Sequence, residues 1–361
     1  MAYKLAITSM SLGRCYAGHS FTAKLDAAHK YGYQGIELFH EDLADMAERL
    51  SSDTPTASGP SQAAQMAAAR NILQLCRARN IEVVCLQPFS HYDGLVDRQE
   101  HERRIEQLHF WIQLAHALET DIIQIPASFL PAEFVTEDLD LIISDLREVA
   151  DIGLMANPPI RFAYESLCWS TRVDTWERCW EVVRRVNRPN FGMCLDTFNI
   201  AGRIFADPAV ASGQTPDAEH AVRQSMARLV EHVDVNKVFY VQVVDAERLT
   251  EPLVPGHRFY NPEQPARMSW SRNCRLFYGE KNRGAYLPVK EIAAAFFHGI
   301  GFRGWVSLEL FHRRMADEGP EVPEELAYRG AISWAKLQKD MRLNVNDGSR
   351  MSDGRIFAAS L

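Results

Sequence analysis

Hydrophobic and polar positions along this chain follow two periods, one of two residues and one near 3.6, and the pattern switches between them repeatedly. Short apolar runs rich in β-branched and aromatic residues predict strands at 4–9 (KLAITS), 35–39 (GIELF), 81–87 (IEVVCLQ), 121–126 (DIIQIP), 161–166, 191–196, 237–244 (KVFYVQVV) and 305–310. Longer segments with helical spacing separate them, at 20–31, 41–50, a stretch resuming through 80, 98–118, 136–155, 172–186, 218–233, 288–298 and 323–341. Ser, Thr, Pro and Gly mark 51–61 as a surface loop, and 245–287 reads as a long loop with little regular structure. Eight strands, each followed by a helix, predict a closed (β/α)8 barrel. A doubly wound open sheet would alternate in the same way, but no Gly-rich phosphate turn follows a strand. The expected organisation is one domain over 1–343 and a disordered tail over 344–361.

Composition narrows this picture without redrawing it. At 361 residues the chain suits one barrel with insertions, and its 47% apolar content can fill a large core. A formal net charge of -8 leaves no basic footprint for nucleic acid or a membrane surface. No apolar run approaches the length of a spanning helix. Thr8, Ser9 and Ser11 interrupt the N-terminal apolar residues too early for a signal peptide. Seven cysteines, an odd number without paired CxxC spacing, read as reduced core thiols of a cytoplasmic protein. The final Ala359-Ser360-Leu361 is similar to a peroxisomal address but lacks its basic middle residue.

Candidate chemistry lies at the strand ends. The run Phe191-Gly192-Met193-Cys194-Leu195-Asp196 stops on a carboxylate, and three other strands end on Glu165, Gln242 and Glu309. Side chains of a barrel strand alternate between interior and helix-facing sides. With Asp196 inward, Cys194 and Gly192 also point inward while Phe191, Met193 and Leu195 pack against helices. With Glu165 inward, Phe162 and Tyr164 pack outward. With Gln242 inward, Phe239, Val241 and Val243 pack outward, and with Glu309 inward, so do Val306, Leu308 and Leu310. Active sites of such barrels lie at the C-terminal strand ends. Three carboxylates and an amide oxygen gathered there call for a cation, and all-oxygen ligands suit Mg²⁺ or Mn²⁺, with Co²⁺ also compatible. The competing reading is that each acid caps the following helix or pairs with an arginine.

Longer strings carry a resemblance. KLAITSMSLGRCYAGHSF, GYQGIELFHEDLADMAERL, VVCLQPFSHYDG, FAYESLCWSTRVDTW, CLDTFNIAGR, PGHRFYNPEQPARMSWSRNCRLFYGE and GWVSLELF resemble the fungal 3-dehydroshikimate dehydratases of quinate catabolism, within the xylose-isomerase-like TIM barrel superfamily. The resemblance spans the chain except its tail. The superfamily pattern of Glu, Asp, His or Gln, and Glu at the ends of strands five to eight falls on Glu165, Asp196, Gln242 and Glu309. Many members carry a His three residues after the strand-six Asp; here that residue is Asn199. Bacterial relatives often place Arg after QPF on strand three, where this chain has Ser90 and then His91.

The resemblance implies elimination of water from 3-dehydroshikimate, with a metal stabilising the enediolate, a base removing the C4 proton and an acid assisting the C5 hydroxyl. His257 in the Pro-Gly-His-Arg turn is the first candidate base, because imidazole titrates near neutrality. His91, Glu37 and the ligands Glu165 and Glu309 are the alternatives. Arg258 and Arg272 are candidates for the substrate carboxylate, and Gln87 and Gln124 for its hydroxyls. The long loop is expected to act as a lid. A sugar isomerase or epimerase would share barrel and metal, but a neutral sugar needs no arginine clamp. An endonuclease on this fold would need more His ligands and a basic face, and a metal-free scaffold would leave four inward acceptors without a partner.

Overall fold

The computed structural model of the protein describes residues 2–50 and 59–343. The expected tail and most of the expected loop at 51–61 lie outside the described residues. β1 (Lys4–Thr8), β2 (Gly35–Phe39), β3 (Glu82–Gln87), β4 (Ile122–Pro126), β5 (Arg161–Glu165), β6 (Phe191–Asp196) and β7 (Val238–Gln242) follow one another around a closed parallel barrel. β8 (Asp245–Ala246) and β9 (Arg275–Leu276) form a separate antiparallel ribbon, and β10 (Trp305–Leu308) closes the barrel between β7 and β1. Helices run between the strands and are started by the residues that favour N-caps: Ser20 accepts from the Ala23 N–H, Asp97 from Gln99 and Glu100, and Thr175 from Arg178. All seven cysteines are buried and unpaired. Among the described residues, no helix is long and apolar enough to cross a membrane.

The expected alternation holds on β5, β6 and β10. Phe162, Tyr164, Phe191, Met193, Leu195, Val306, Leu308 and Leu310 pack in the large cluster between barrel and helices. Cys85, Ile122, Ala163, Cys194 and Tyr240 form a separate small cluster inside the barrel. β7 departs from the expectation at one position. Its register against β6 jumps from Met193↔Val238 to Cys194↔Tyr240, so Phe239 is an extra residue in the ladder. Its ring packs with the interior cluster instead of facing outward. Gly192 makes room for it, since a Cβ there would lie 2.7 Å from Phe239 Cζ and 2.4 Å from the Lys237 carbonyl oxygen.

The segment after β7 is more ordered than its composition predicts. It contains the helix Ala266–Cys274 and both strands of the ribbon. Trp270 is fully buried, packs against Phe198 in a tilted arrangement at 4.8 Å between ring centroids, and donates its indole N–H to the Glu247 carbonyl. Asp245 ties the two ends of the segment together. Its Oδ1 accepts the backbone N–H groups of Ala246, Tyr286 and Leu287 at 2.8, 3.0 and 2.8 Å. Burial still outweighs these bonds and pushes the Asp245 carboxyl up to about 6. A carboxyl raised on folding contributes stability at low pH that is lost as pH rises through its folded value. Asp245→Asn, which keeps the accepting oxygen, is therefore expected to gain about 3 kcal/mol relative to wild type between pH 4 and pH 7. Urea melts at both pH values check this; a difference that does not change with pH would refute it.

Candidate active site

Every barrel strand carries a buried polar side chain: Thr8, Gln87, Glu165, Asp196 and Gln242 end their strands, Glu309 lies one residue past β10, and Glu37 and Gln124 lie two residues before the ends of β2 and β4. Glu37 pairs with Cys85 and Gln124 with Ala163 in the strand register, so these two sit level with the interior cluster. β6 passes without a break into the short helix Thr197–Ile204, which the hydrophobic pattern left unassigned. Asp196 caps that helix, its Oδ1 accepting from the Phe198 N–H at 2.8 Å. Its Oδ2 receives Asn199 Nδ2 at 2.8 Å and Arg275 Nη1 at 2.9 Å. Asp196 thus both caps a helix and pairs with an arginine. Asn199 Nδ2 also reaches Glu165 Oε1 at 2.8 Å, so the residue standing in place of the His clamps two carboxylates together. Gln124 Nε2 donates to the other oxygen of Glu165.

Arg275 is the centre of the site's charge balance, and sequence reasoning did not single it out. It is 1% exposed, and Nη1 donates to Asp196 and, at 3.1 Å, to Glu309 Oε2. Its guanidinium lies 4.2 Å from the ring centroid of Phe198 and 5.0 Å from that of Phe311. The one sequence signal was its position in Cys274-Arg275-Leu276-Phe277, an otherwise apolar run. Glu37, Glu165, Asp196 and Glu309 are all buried, and Arg275 pairs with two of the four, Asp196 and Glu309. Burial raises all four, most clearly Glu165 and Glu309. Glu309 is pushed up to about 8 by burial, against the pull of Arg275 and with Glu37 and Asp196 adding to the rise.

Oxygens of Glu165, Asp196 and Glu309 lie within 4.8 Å of one another, a grouping able to hold a cation. Gln242 stands beside Asp196 in the β6–β7 register, and its Oε1 is buried with no hydrogen-bond partner among the described residues. Three converging carboxylates, an amide oxygen in want of a positive partner and an excess of buried negative charge fit a hard divalent ion. A second grouping, His101, Asp145 and Glu148, does not fit one as well. Asp145 there is already engaged by both Arg98 nitrogens and by the Gly94 N–H.

A cavity of about 120 Å³ opens above Glu165 and Glu309. Gln87, Ser90, Gln124, Trp169, Ser271, Arg272 and Arg275 supply its polar wall, and Phe39, Pro88, Phe129, Leu167 and Phe311 its apolar one. Arg272 has no carboxylate partner among the described residues; it donates to Gln264 Oε1 at 2.9 Å, and burial together with nearby Arg14 holds its pKa down. Gln124 Oε1 and the Trp169 indole N–H also lack partners among the described residues.

The other expected residues stand elsewhere. His257 and Arg258 are not in the cavity wall: His257 Nδ1 accepts the Phe259 N–H at 3.1 Å, and the exposed Arg258 stacks on the Phe259 ring at 4.4 Å. The tight turn that made His257 visible in the sequence is satisfied by its own backbone, and no reacting atom is brought to it. His91 lies behind the wall, 4.4 Å from the Phe129 ring, and burial pushes it down to about 4. Glu37 lies below the cavity rather than in it, fully buried under Gln87 and Gln242.

Residues 25–338 match the model of a xylose isomerase-like TIM barrel family. The chain belongs to that family. Within this barrel family, a 3-dehydroshikimate dehydratase of Neurospora crassa is 71% identical over 359 residues, covering 99% of this chain and 100% of that protein. A 3-dehydroshikimate dehydratase of Pseudomonas aeruginosa is 26% identical over 289 residues, 80% of this chain but 36% of the relative. Among solved structures, a xylose isomerase-like TIM barrel/4-hydroxyphenylpyruvate dioxygenase fusion protein superposes with a TM-score of 0.69 at 22% identity, over 95% of this chain and 44% of that one.

Proposed function

We propose that this protein is a cytoplasmic hydro-lyase that converts 3-dehydroshikimate to protocatechuate and water with the help of a divalent metal ion. The observation that carries the reading is the 71% identity to the Neurospora dehydratase along the whole of both chains. The cavity supports it on chemical grounds. A guanidinium on the cavity wall with no carboxylate partner among the described residues suits an anionic substrate, and Arg272 would take the ring carboxylate through charge-assisted hydrogen bonds. A small cavity walled by phenylalanines suits one six-membered ring. Gln124 Oε1 and the Trp169 N–H are free to meet its hydroxyl and carbonyl groups.

Glu165, Asp196, Gln242 and Glu309 would hold the ion, Mn²⁺ or Mg²⁺ by their oxygen donors, and bound there it supplies Lewis acidity at the substrate ketone. Glu165 and Glu309, the carboxylates in the cavity wall, take over the proton transfer expected of His257. Phe39, Phe129 and Phe311 exclude water from the ring while the proton leaves C4 and the hydroxyl leaves C5. A ring proton then moves from C6 to the former ketone oxygen, which completes the aromatic product.

The test is direct. Purified protein is given 3-dehydroshikimate and protocatechuate is followed by its absorbance, with and without chelator and with Mn²⁺ or Mg²⁺ restored. Absence of product under every metal would refute the dehydratase reading, and full activity after exhaustive chelation would refute the metal. In the same assay Arg272→Gln is expected to raise KM about 10- to 100-fold, the worth of a charged hydrogen-bonded contact. Arg258→Gln and His257→Ala are expected to behave as wild type.

A further inference from the structure

Glu37 is the strangest carboxylate in the molecule. It is fully buried in the middle of β2, outside the three-carboxylate grouping and outside the cavity wall. Among the described residues no lysine or arginine pairs with it. It is instead an acceptor for donors from three other strands. Thr8 Oγ1 reaches its Oε1 at 3.1 Å, Gln87 Nε2 its Oε2 at 2.8 Å, and Cys85 Sγ its Oε2 at 3.6 Å. Gln242 Nε2 reaches both oxygens, at 3.0 and 3.2 Å. A buried carboxyl without a cation is costly, and a neutral side chain of similar size would avoid that cost.

The geometry points to a purpose for that cost: we infer that Glu37 is a positioning residue that orients the Gln242 amide, aiming its oxygen at the metal. The inference rests on the metal reading above. A carboxylate can only accept hydrogen bonds, whereas a primary amide has one donating and one accepting end. Gln242 Nε2 lies within 3.2 Å of both Glu37 oxygens, so the nitrogen end of the amide faces Glu37. Its Oε1 is then turned away from Glu37, and this is the atom left buried without a partner among the described residues. The register of Gln242 against Asp196 on one side and Ser307 on the other keeps that oxygen beside the strand ends where the carboxylates meet. Among the described residues the Gln242 amide donates to Glu37 alone; the opposite orientation would present two N–H groups to a cation. Supporting groups of this kind are known to fix the orientation of metal ligands, and their loss weakens metal binding 10- to 100-fold.

The experiment is a titration of the metal-free protein with Mn²⁺ by calorimetry, independent of turnover, with a thermal melt of each variant alongside. Glu37→Gln gives Gln242 a neighbour that both donates and accepts, so the amide loses its fixed sense; Mn²⁺ affinity is expected to fall at least about 10-fold. The exchanged pair Glu37→Gln with Gln242→Glu restores the polarity, with the new amide donating upward and the new carboxylate facing the ion. It is expected to recover affinity to within a few-fold of wild type. A role confined to barrel stability would instead lower the melting temperature of the single variant without this recovery of Mn²⁺ binding. Wild-type affinity in Glu37→Gln, or an exchanged pair that binds no better than the single variant, would overturn the inference. Because the pair conserves charge and atoms, it decides the matter even where the single variant unfolds. A wild-type chain that takes up no Mn²⁺ would overturn the metal reading and this inference with it, and the wild-type titration tells the two failures apart.

Discussion

Asp196→Asn is expected to abolish measurable turnover and to weaken Mn²⁺ binding more than about 100-fold, beyond the range for a merely supporting group. The barrel should survive the change. An asparagine retains one oxygen to accept the Phe198 N–H, so the cap of the helix Thr197–Ile204 persists. It cannot also accept from Asn199 Nδ2 and Arg275 Nη1, which now share the Oδ2 atom. An amide nitrogen in that place sets donor against donor and leaves a guanidinium short of a charge partner, at a cost of about 1–3 kcal/mol. Turnover of 3-dehydroshikimate, Mn²⁺ titration and a thermal melt on one preparation separate the effects. A variant that is folded and near-normal in both turnover and metal binding would remove Asp196 from the site.

Arg275→Ala is expected to destabilise the metal-free protein by about 3–5 kcal/mol, because it strands buried carboxylates without their cation. For a chain of this size that corresponds to a fall on the order of 10 °C in Tm. The sign of the response to metal is the more telling part. Arg275 and a divalent ion neutralise the same pair, Asp196 and Glu309. Saturating Mn²⁺ should therefore raise the Tm of the variant by more than it raises the Tm of wild type. Arg275→Lys would restore charge but not the planar stacking between Phe198 and Phe311, so a partial loss is expected. Equal melting temperatures without metal, or equal increments with it, would show that the guanidinium does not carry the balance assigned to it.

The clearest reading in the sequence was the inward set of side chains. Glu165, Asp196 and Glu309 were visible because each ends a short alternating run, and alternation is a local property of extended backbone. Phe239 escaped the same rule. The extra residue in β7 arises only where that strand pairs with β6, so nothing in KVFYVQVV announces it. The helix after Asp196 was missed for a related reason. Its residues TFNIAGRI have six buried members, and eight residues are too few to display a helical period.

The loop residues show the opposite limit. Arg248, Arg258, Arg267, Arg272, Arg275 and Arg283 look alike in a segment rich in Pro, Tyr and Trp. Arg267 turns out to bond the Gly202 and Ala206 carbonyls, Arg258 to stack at the surface, Arg272 to enter the cavity and Arg275 to sit among the carboxylates. Which one goes where depends on the path of the chain between Asp245 and Leu287. That path is set by the Asp245 tether, the β8–β9 ribbon and the packing of Trp270 on Phe198. His257 was chosen for its chemistry, and chemistry alone does not say whether a side chain is carried to a cavity.

By itself, then, the amino-acid sequence determined the eightfold strand and helix repeat, the parity of side chains on β5, β6 and β10, and a polar layer near the strand ends. All of these follow from backbone geometry over a few residues. Only the tertiary structure decided that three carboxylates from different strands come within 4.8 Å, that Arg275 joins them, and that the Gln242 amide is turned with its oxygen away from Glu37. Those arrangements depend on barrel closure and on contacts between residues as far apart as Glu37 and Gln242, and no local pattern encodes a contact before the chain has closed.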